Sequence, residues 1–126
     1  MLRTLRFAVA ALTIMACAHT SQHGSSTDEN LITEEEIDAS GGVTAFDVIQ
    51  KVRRNMLTDR GKTTLIGASP NRPSVFIDGV QLGEIASLRN VSARQLSTIR
   101  LYRAWEAQQR YGNGFVGGVI ELTTRK

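Results

Sequence analysis

Few residues in this chain have side chains suited to chemistry, and their spacing decides how each is read. Gly112, Gly114 and Gly117, in Tyr111-Gly-Asn-Gly-Phe-Val-Gly117, have the Gly-x-Gly-x-x-Gly spacing of a dinucleotide-binding loop. That fingerprint works when a strand precedes the loop and a helix follows, so that the helix N-terminus faces a pyrophosphate. Here a β-branched run, Gly117-Gly-Val-Ile-Glu-Leu-Thr-Thr124, follows instead. These glycines, with Gly118, are therefore read as structural residues of a tight turn. His19 and His23 are four apart, a spacing that on a helix can hold a metal. They lie in a polar stretch with no third ligand and are read as incidental. The single cysteine is Cys17, and no histidine follows residue 23. Beyond residue 30 there is thus no Ser–His or Cys–His pair and no zinc-type ligand set. Glu34-Glu-Glu36 reads as an acidic first helical turn favoured by the dipole, and Asp78 as a turn residue. The expectation is a protein that is not an enzyme and holds no cofactor or metal. Arg100, Arg103 and Arg110 are spaced along a strand and a helix, either as a solvated face or as a candidate partner surface.

Charge and composition narrow the classes further. The chain of 126 residues has 15 basic and 12 acidic residues, a formal charge of +3, with 41% hydrophobic and 21% charged residues. This is the globular range, with room for one ordinary domain. Arg3 and Arg6 sit in a removable start, which leaves 13 basic against 12 acidic residues. So balanced a remainder does not ask for nucleic acid.

The start itself, residues 1–16, reads as a signal peptide: Arg3 and Arg6 precede the apolar run Phe7–Ala16. That run is shorter than the roughly 20 residues needed to span a bilayer core. Ile14-Met-Ala-Cys17 resembles the lipobox of bacterial lipoproteins, in which the thiol accepts diacylglycerol, making Cys17 the candidate lipidation site. Ala16-Cys-Ala18 also fits ordinary signal peptidase, which would discard Cys17 and leave a soluble periplasmic protein. Residues 17–30 are polar and without hydrophobic period, and read as a tether.

Residues 31–126 are the part that must position any site. Thr33-Glu-Glu-Glu36 has capping-box spacing and predicts a short helix carrying Ile37, stopped by Ser40-Gly-Gly42. Thr44-Ala-Phe-Asp47 repeats the signal and predicts a helix over about 44–55, with Phe46, Ile49, Val52 and Met56 on its apolar face. Thr63–Gly67 is a strand candidate. Ser74-Val-Phe-Ile77 and Val80-Gln-Leu82 flank Asp78-Gly79, the strongest local hairpin signal. Ser92-Ala-Arg-Gln95 has capping-box spacing and predicts a single helical turn. Residues 97–103 alternate with Ile99 and Leu101 on one face, and Ala104–Arg110 predicts a short helix with Trp105 as its large apolar residue. Residues 117–124 close the chain as a strand. The fold class is α+β: a small mixed sheet with a β-hairpin and two to three short helices.

Three stretches together resemble the plug domain of TonB-dependent outer-membrane receptors. They are Val75-Phe-Ile-Asp-Gly-Val80, Val91-Ser-Ala-Arg-Gln-Leu-Ser-Thr-Ile-Arg-Leu-Tyr102, and Ala104 through Thr124 with its Tyr-Gly-Asn-Gly-Phe-Val-Gly-Gly-Val-Ile core. Leu31 to Gln50 is similar to the opening of such plugs, so the resemblance covers about residues 31–126. It departs at Arg103-Ala104, where the family usually has Gly-Pro, and no TonB box is evident. A receptor would continue into a barrel of about twenty-two strands, whereas this chain ends at Lys126.

The resemblance implies a plug-like binding module with a barrel protein or TonB-type complex as partner; the lipobox at Cys17 adds the expectation of a lipid tether to the periplasmic face of the outer membrane. Two alternatives stay open: a periplasmic binder of a small molecule or metal chelate, with a pocket around Tyr102, Trp105 and Tyr111, or an inactive receptor remnant. Ordinary core packing is the plainer reading of those aromatic residues.

Overall fold

A computed structural model describes residues 28–58 and 72–126. Cys17, the signal peptide, most of the tether with its histidines, and the strand candidate Thr63–Gly67 lie outside the described residues.

The chain begins with a two-residue strand, β1 (Leu31–Ile32), then α1 (Glu34–Ser40) and α2 (Ala45–Val52). Both helices start where the capping boxes predict. The Thr33 hydroxyl accepts from the Glu36 N–H at 3.4 Å, and the Glu36 carboxylate accepts from the Thr33 N–H at 3.2 Å. Thr44 and Asp47 make the same exchange at 3.2 and 3.0 Å. Each box satisfies two of the helix's otherwise unpaired N–H groups. Gly41, in the left-handed conformation, closes α1.

The second helix is shorter than its apolar pattern suggests. It stops at Val52, and Arg53 leaves helical geometry before a 3-10 turn over Arg54–Leu57. The Arg53 guanidinium donates to Glu36 at 2.9 Å, joining this break to α1. The tighter turn still brings Met56 into the core. The buried face is also rotated from the expected one. Ala45, Val48 and Ile49 are fully buried, while Phe46 and Val52 are half-buried beside them.

Next come β2 (Ser74–Ile77) and β3 (Val80–Glu84), joined by Asp78 and Gly79 with φ of 47° and 84°. Positive φ at both central positions is the type I′ requirement, which Asp-Gly meets at low cost. A bulge near Leu82 and Gly83 twists β3, the terminal strand of the sheet among the described residues. Bulges of this kind protect an exposed edge from stray pairing.

A 3-10 helix over Ile85–Asn90, which the pattern did not suggest, then carries Leu88 into the core. Ala93–Gln95 is a 3-10 turn, and the expected capping by Ser92 does not form. So short a turn has its bonds supplied by backbone: the Ser92 carbonyl accepts from Gln95, and the Ala93 N–H donates to Val43. Then follow β4 (Leu96–Tyr102), α3 (Ala104–Tyr111) and β5 (Val119–Thr124).

These elements make a mixed five-stranded sheet of order β1-β4-β5-β2-β3, an α+β fold as expected. β5 pairs antiparallel with β4 and parallel with β2. On one face, Ile32, Val75, Ile99, Leu101, Ile120 and Leu122 pack against Ile37 of α1, Val48 and Ile49 of α2, and Leu88. On the other face α3 covers a smaller cluster of Phe76, Ala107 and Val119. No described helix is long and apolar enough to cross a membrane.

The glycines of the 112–118 loop are not equivalent. Gly118 has φ of 90°, and a Cβ there would lie 2.6 Å from the Tyr102 carbonyl oxygen, whereas a Cβ on Gly114 would meet nothing within 4 Å. Gly118→Ala is expected to destabilise the fold by at least ~2 kcal/mol, combining backbone strain with the clash. Gly114→Ala is expected to leave the melting temperature nearly unchanged. Thermal unfolding of the two variants checks the contrast.

Candidate functional site

The described side chains with unusual surroundings gather under α3. Phe76 of β2, Tyr102 of β4, Tyr111 at the end of α3 and Phe115 of the following loop form one aromatic cluster. Ring centroids are 4.6 Å apart for Phe76–Tyr111, 5.5 Å for Phe76–Phe115, and 5.9 Å for both Tyr102–Tyr111 and Tyr111–Phe115. The tilted and edge-on geometries are the favourable ones for aromatic pairs. Period-two alternation puts Phe76 and Tyr102 on this face, opposite to their core-facing neighbours Val75 and Leu101.

Arginine and glutamate frame the cluster. Arg110 lies 5.2 Å from the Tyr102 ring centroid and 5.8 Å from that of Tyr111, with its guanidinium 3.8 Å from the Glu121 carboxylate. Arg100 sits 5.9 Å from the Tyr102 ring and pairs with Asp28 at 3.3 Å. Two of the three arginines singled out in the sequence thus flank one tyrosine, where cation–π attraction and exposed ion pairs hold them. Arg103 stands apart, exposed at the N-cap of α3, its backbone N–H donating to the Glu106 carboxylate at 2.9 Å. Arginine has no acceptor, so only this half of a reciprocal cap forms.

The structure does not bring Tyr102, Trp105 and Tyr111 together. Tyr102 and Tyr111 pack against the cluster, but Trp105 is 62% exposed. The buried residue of α3 is Ala107. It lies two positions from Trp105, about 200° around the helix, so covering the cluster with Ala107 turns the indole outward. Glu121 and Phe115 are the participants that sequence reasoning missed. The alternation of residues 119–124 was the signal that placed Glu121 on this face.

Among the described residues, surface grooves lie elsewhere. One of about 590 Å³ runs between Ile37, Asp38, Gly41 and Val43 on one side and Ser92 and Arg94 on the other. A second, of about 480 Å³, is lined by Phe46, Leu57, Ile85 and Arg89, with the Arg89 guanidinium 4.4 Å from the Phe46 ring centroid. Among the described residues no three His, Cys, Asp or Glu side chains are grouped to hold a metal ion.

Asp78, read as a turn residue, does more than shape the turn. Its carboxylate accepts from the Thr124 N–H at 3.0 Å and from the Thr124 hydroxyl at 2.7 Å, while its own N–H donates to the Leu122 carbonyl at 2.9 Å. The hairpin tip therefore clasps the end of β5. Gly79 completes the hairpin, and of the glycines in the 112–118 stretch Gly112 caps α3, Gly114 is exposed, and Gly117 and Gly118 lead into β5.

The electrostatics have a clear sense. The Thr124 hydroxyl, then its N–H, hold the Asp78 carboxyl below the usual carboxylate range. The Thr44 backbone and hydroxyl do the same for Asp47. Burial, then Glu121, pushes the Tyr111 phenol up to about 12, with Arg110 opposing. Burial and Glu121 also raise Tyr102. The Tyr111 hydroxyl oxygen is buried without a well-formed hydrogen bond.

Two expected outcomes follow from these shifts. A depressed carboxyl contributes stability that is present above its unfolded value of about 4 and lost as pH falls through the lower folded value. Asp78→Asn, which keeps a side chain tolerant of the left-handed turn, is expected to lower stability at neutral pH and to flatten its fall below about pH 4. Denaturant titrations across pH check both. A raised phenol has the opposite sense: its contribution is present below the ordinary value of about 10 and lost as pH climbs through the folded value. Tyrosinate absorbance of the native protein is expected to rise late, approaching that of the unfolded chain only near pH 12. Tyr111→Phe removes an unpaired hydroxyl and should leave the melting temperature unchanged or higher.

No protein-family model matches the chain, and no curated protein is found to be similar to it.

Proposed function

We propose that this chain is a non-catalytic, plug-like binding module held by lipid at the periplasmic face of the outer membrane, where it engages a barrel protein or TonB-type complex. The observation that carries the reading is where the three resembling stretches fall. Val75–Val80 forms β2 and its turn, Val91–Tyr102 leads into and forms β4, and Ala104–Thr124 forms α3 and β5. They become three neighbouring strands, β4-β5-β2, locked by the Asp78–Thr124 clasp. Stretches scattered along 50 residues of sequence thus build one continuous unit, as segments of a single ancestral domain would.

A tethered binding module gains from its anchor. Confinement to one surface converts weak encounters into effectively intramolecular ones, so modest contacts suffice. Several charges on the described surface are matched in pairs, as with Arg100–Asp28, Arg53–Glu36 and Arg125–Asp38. Shape and exposed apolar residues then have more to offer a partner than net charge. The two grooves keep a second reading in play, a binder of a small molecule or chelate.

In-cell crosslinking of a C-terminally tagged copy, followed by mass spectrometry, tests the proposal. Recovery of a barrel receptor or an energy coupler well above an untethered control is the expected outcome. Recovery of abundant envelope proteins alone, at control levels, overturns it. A ligand-dependent rise in melting temperature would then assign the chain to the second reading. Loss of the gene with no uptake or envelope phenotype would instead mark an inactive remnant.

A further inference from the structure

We propose that one end of the domain, marked by Trp105, rests on the lipid surface with its indole among the headgroups. The inference rests on the reading of Cys17 as the lipidated residue. It commits to a lipid bilayer as the surface that Trp105 meets.

Trp105 is the single tryptophan of the chain, and it is 62% exposed. Large aromatic residues ordinarily bury most of their area, because that is where they stabilise a fold most. The phase of α3 leaves no choice here. Ala107 is fully buried against the sheet, and the indole therefore projects from the opposite side of the helix. No described residue makes a ring pair with it, although four other aromatic residues cluster beneath the same helix.

The N-terminal segment joins the fold at this same end. The Leu101 N–H donates to the Asn30 carbonyl at 2.7 Å, and Asp28 pairs with Arg100. The next residues of the chain after β4 are Arg103, the cap of α3, and then Ala104 and Trp105. The loop after α3 returns here too. Gly118 lies against the Tyr102 carbonyl and the Ala104 nitrogen, which brings nearby Val116, 54% exposed, back to this end. The hairpin tip, with Asp78 and the exposed Val80, is at the far end of β5 beside Thr124. Asp28, Trp105 and Val116 thus share one pole, and Val80 belongs to the other.

Chain length supplies the remaining constraint. Residues 17 to 28 can span no more than about 40 Å even when fully extended. Acyl chains on Cys17 would thus keep the Trp105 pole, where the tether enters the fold, within about 40 Å of the headgroups. Tryptophan is the residue best suited to that layer, since its ring is apolar and its N–H still finds water or phosphate. One indole and one valine would bind a membrane weakly from solution. Tethered, they face a high effective lipid concentration, so weak affinity is enough to orient the domain. Charge plays little part, because Arg100 pairs with Asp28 and the Glu106 carboxylate lies against the Arg103 N–H. Zwitterionic lipid therefore suffices, and added salt should matter little.

The test uses the full mature protein, extracted from membranes and reconstituted into phosphatidylcholine–phosphatidylethanolamine vesicles with and without brominated acyl chains. The expected result is a blue shift of tryptophan emission on reconstitution and loss of emission with the brominated lipid, both insensitive to salt. Val116→Lys should weaken the quenching at unchanged melting temperature. In a chain carrying Trp105→Gln and Val80→Trp, the reporter at the far pole should stay water-exposed and unquenched. Vesicles that float with the acylated protein while Trp105 remains open to aqueous quenchers overturn this inference alone. An N-terminal mass lacking acylated Cys17 overturns the anchoring reading, and this inference with it.

Discussion

Everything in this domain depends on the seating of β5 between β4 and β2. Val119, Ile120 and Leu122 are fully buried, and the strand has a hydrogen-bonded neighbour on both sides. A parallel partner and an antiparallel one are bridged by the last strand of the described sheet to be made. The β2–β5 pair is the costly one, since parallel strands must be brought together across intervening chain. Here that chain is β3, β4 and α3. The Asp78 carboxylate, gripping Thr124 from the hairpin tip, closes the register where the parallel pair would otherwise fray.

Because β5 is central, its two faces divide the molecule. Ile120 and Leu122 look toward α1, α2 and the main core. Val119 and Glu121 look the other way, toward α3, Tyr102 and Tyr111. The second face is half apolar and half charged, which is why a carboxylate, an arginine and two tyrosines meet there. A short helix suffices to cover it, with Ala107 small enough to let the helix approach closely. That close approach excludes the far side of α3 from the core and leaves an indole in solvent. An apolar surface residue is thus a consequence of how the fold solves its packing.

The proposed tethered role and the proposed lipid-facing pole fit one another through geometry. A module anchored near one end keeps its opposite end, the hairpin tip and the terminus of β5, turned toward the periplasm. Partner contacts would then come from that end and from the grooves, while Arg100 pairs with Asp28 and the Arg110 guanidinium lies 3.8 Å from Glu121.

Some of this was legible before any coordinates. The Thr33 and Thr44 boxes, the Asp78-Gly79 turn and the alternation of residues 97–102 all act within a few residues, so local sequence was sufficient to place them. Other features were not legible. Leu31-Ile32 has too few residues to signal a strand and becomes one only because β4 offers it an edge. Ser92 matches a cap pattern, yet its hydroxyl caps nothing, because the 3-10 turn after it is held by backbone bonds from Gln95 to Ser92 and from Ala93 to Val43. Trp105 looks like a core residue in any window of sequence; its exposure depends on which face of α3 meets Phe76 and Val119. The sequence by itself determined where α1, α2 and the β2–β3 turn begin, through side chains that bond to nearby backbone or tolerate positive φ. Only the tertiary structure decided the strand order, the company of Tyr111 and the exposure of Trp105. Those outcomes follow from burying apolar rows drawn from distant parts of the chain against one another.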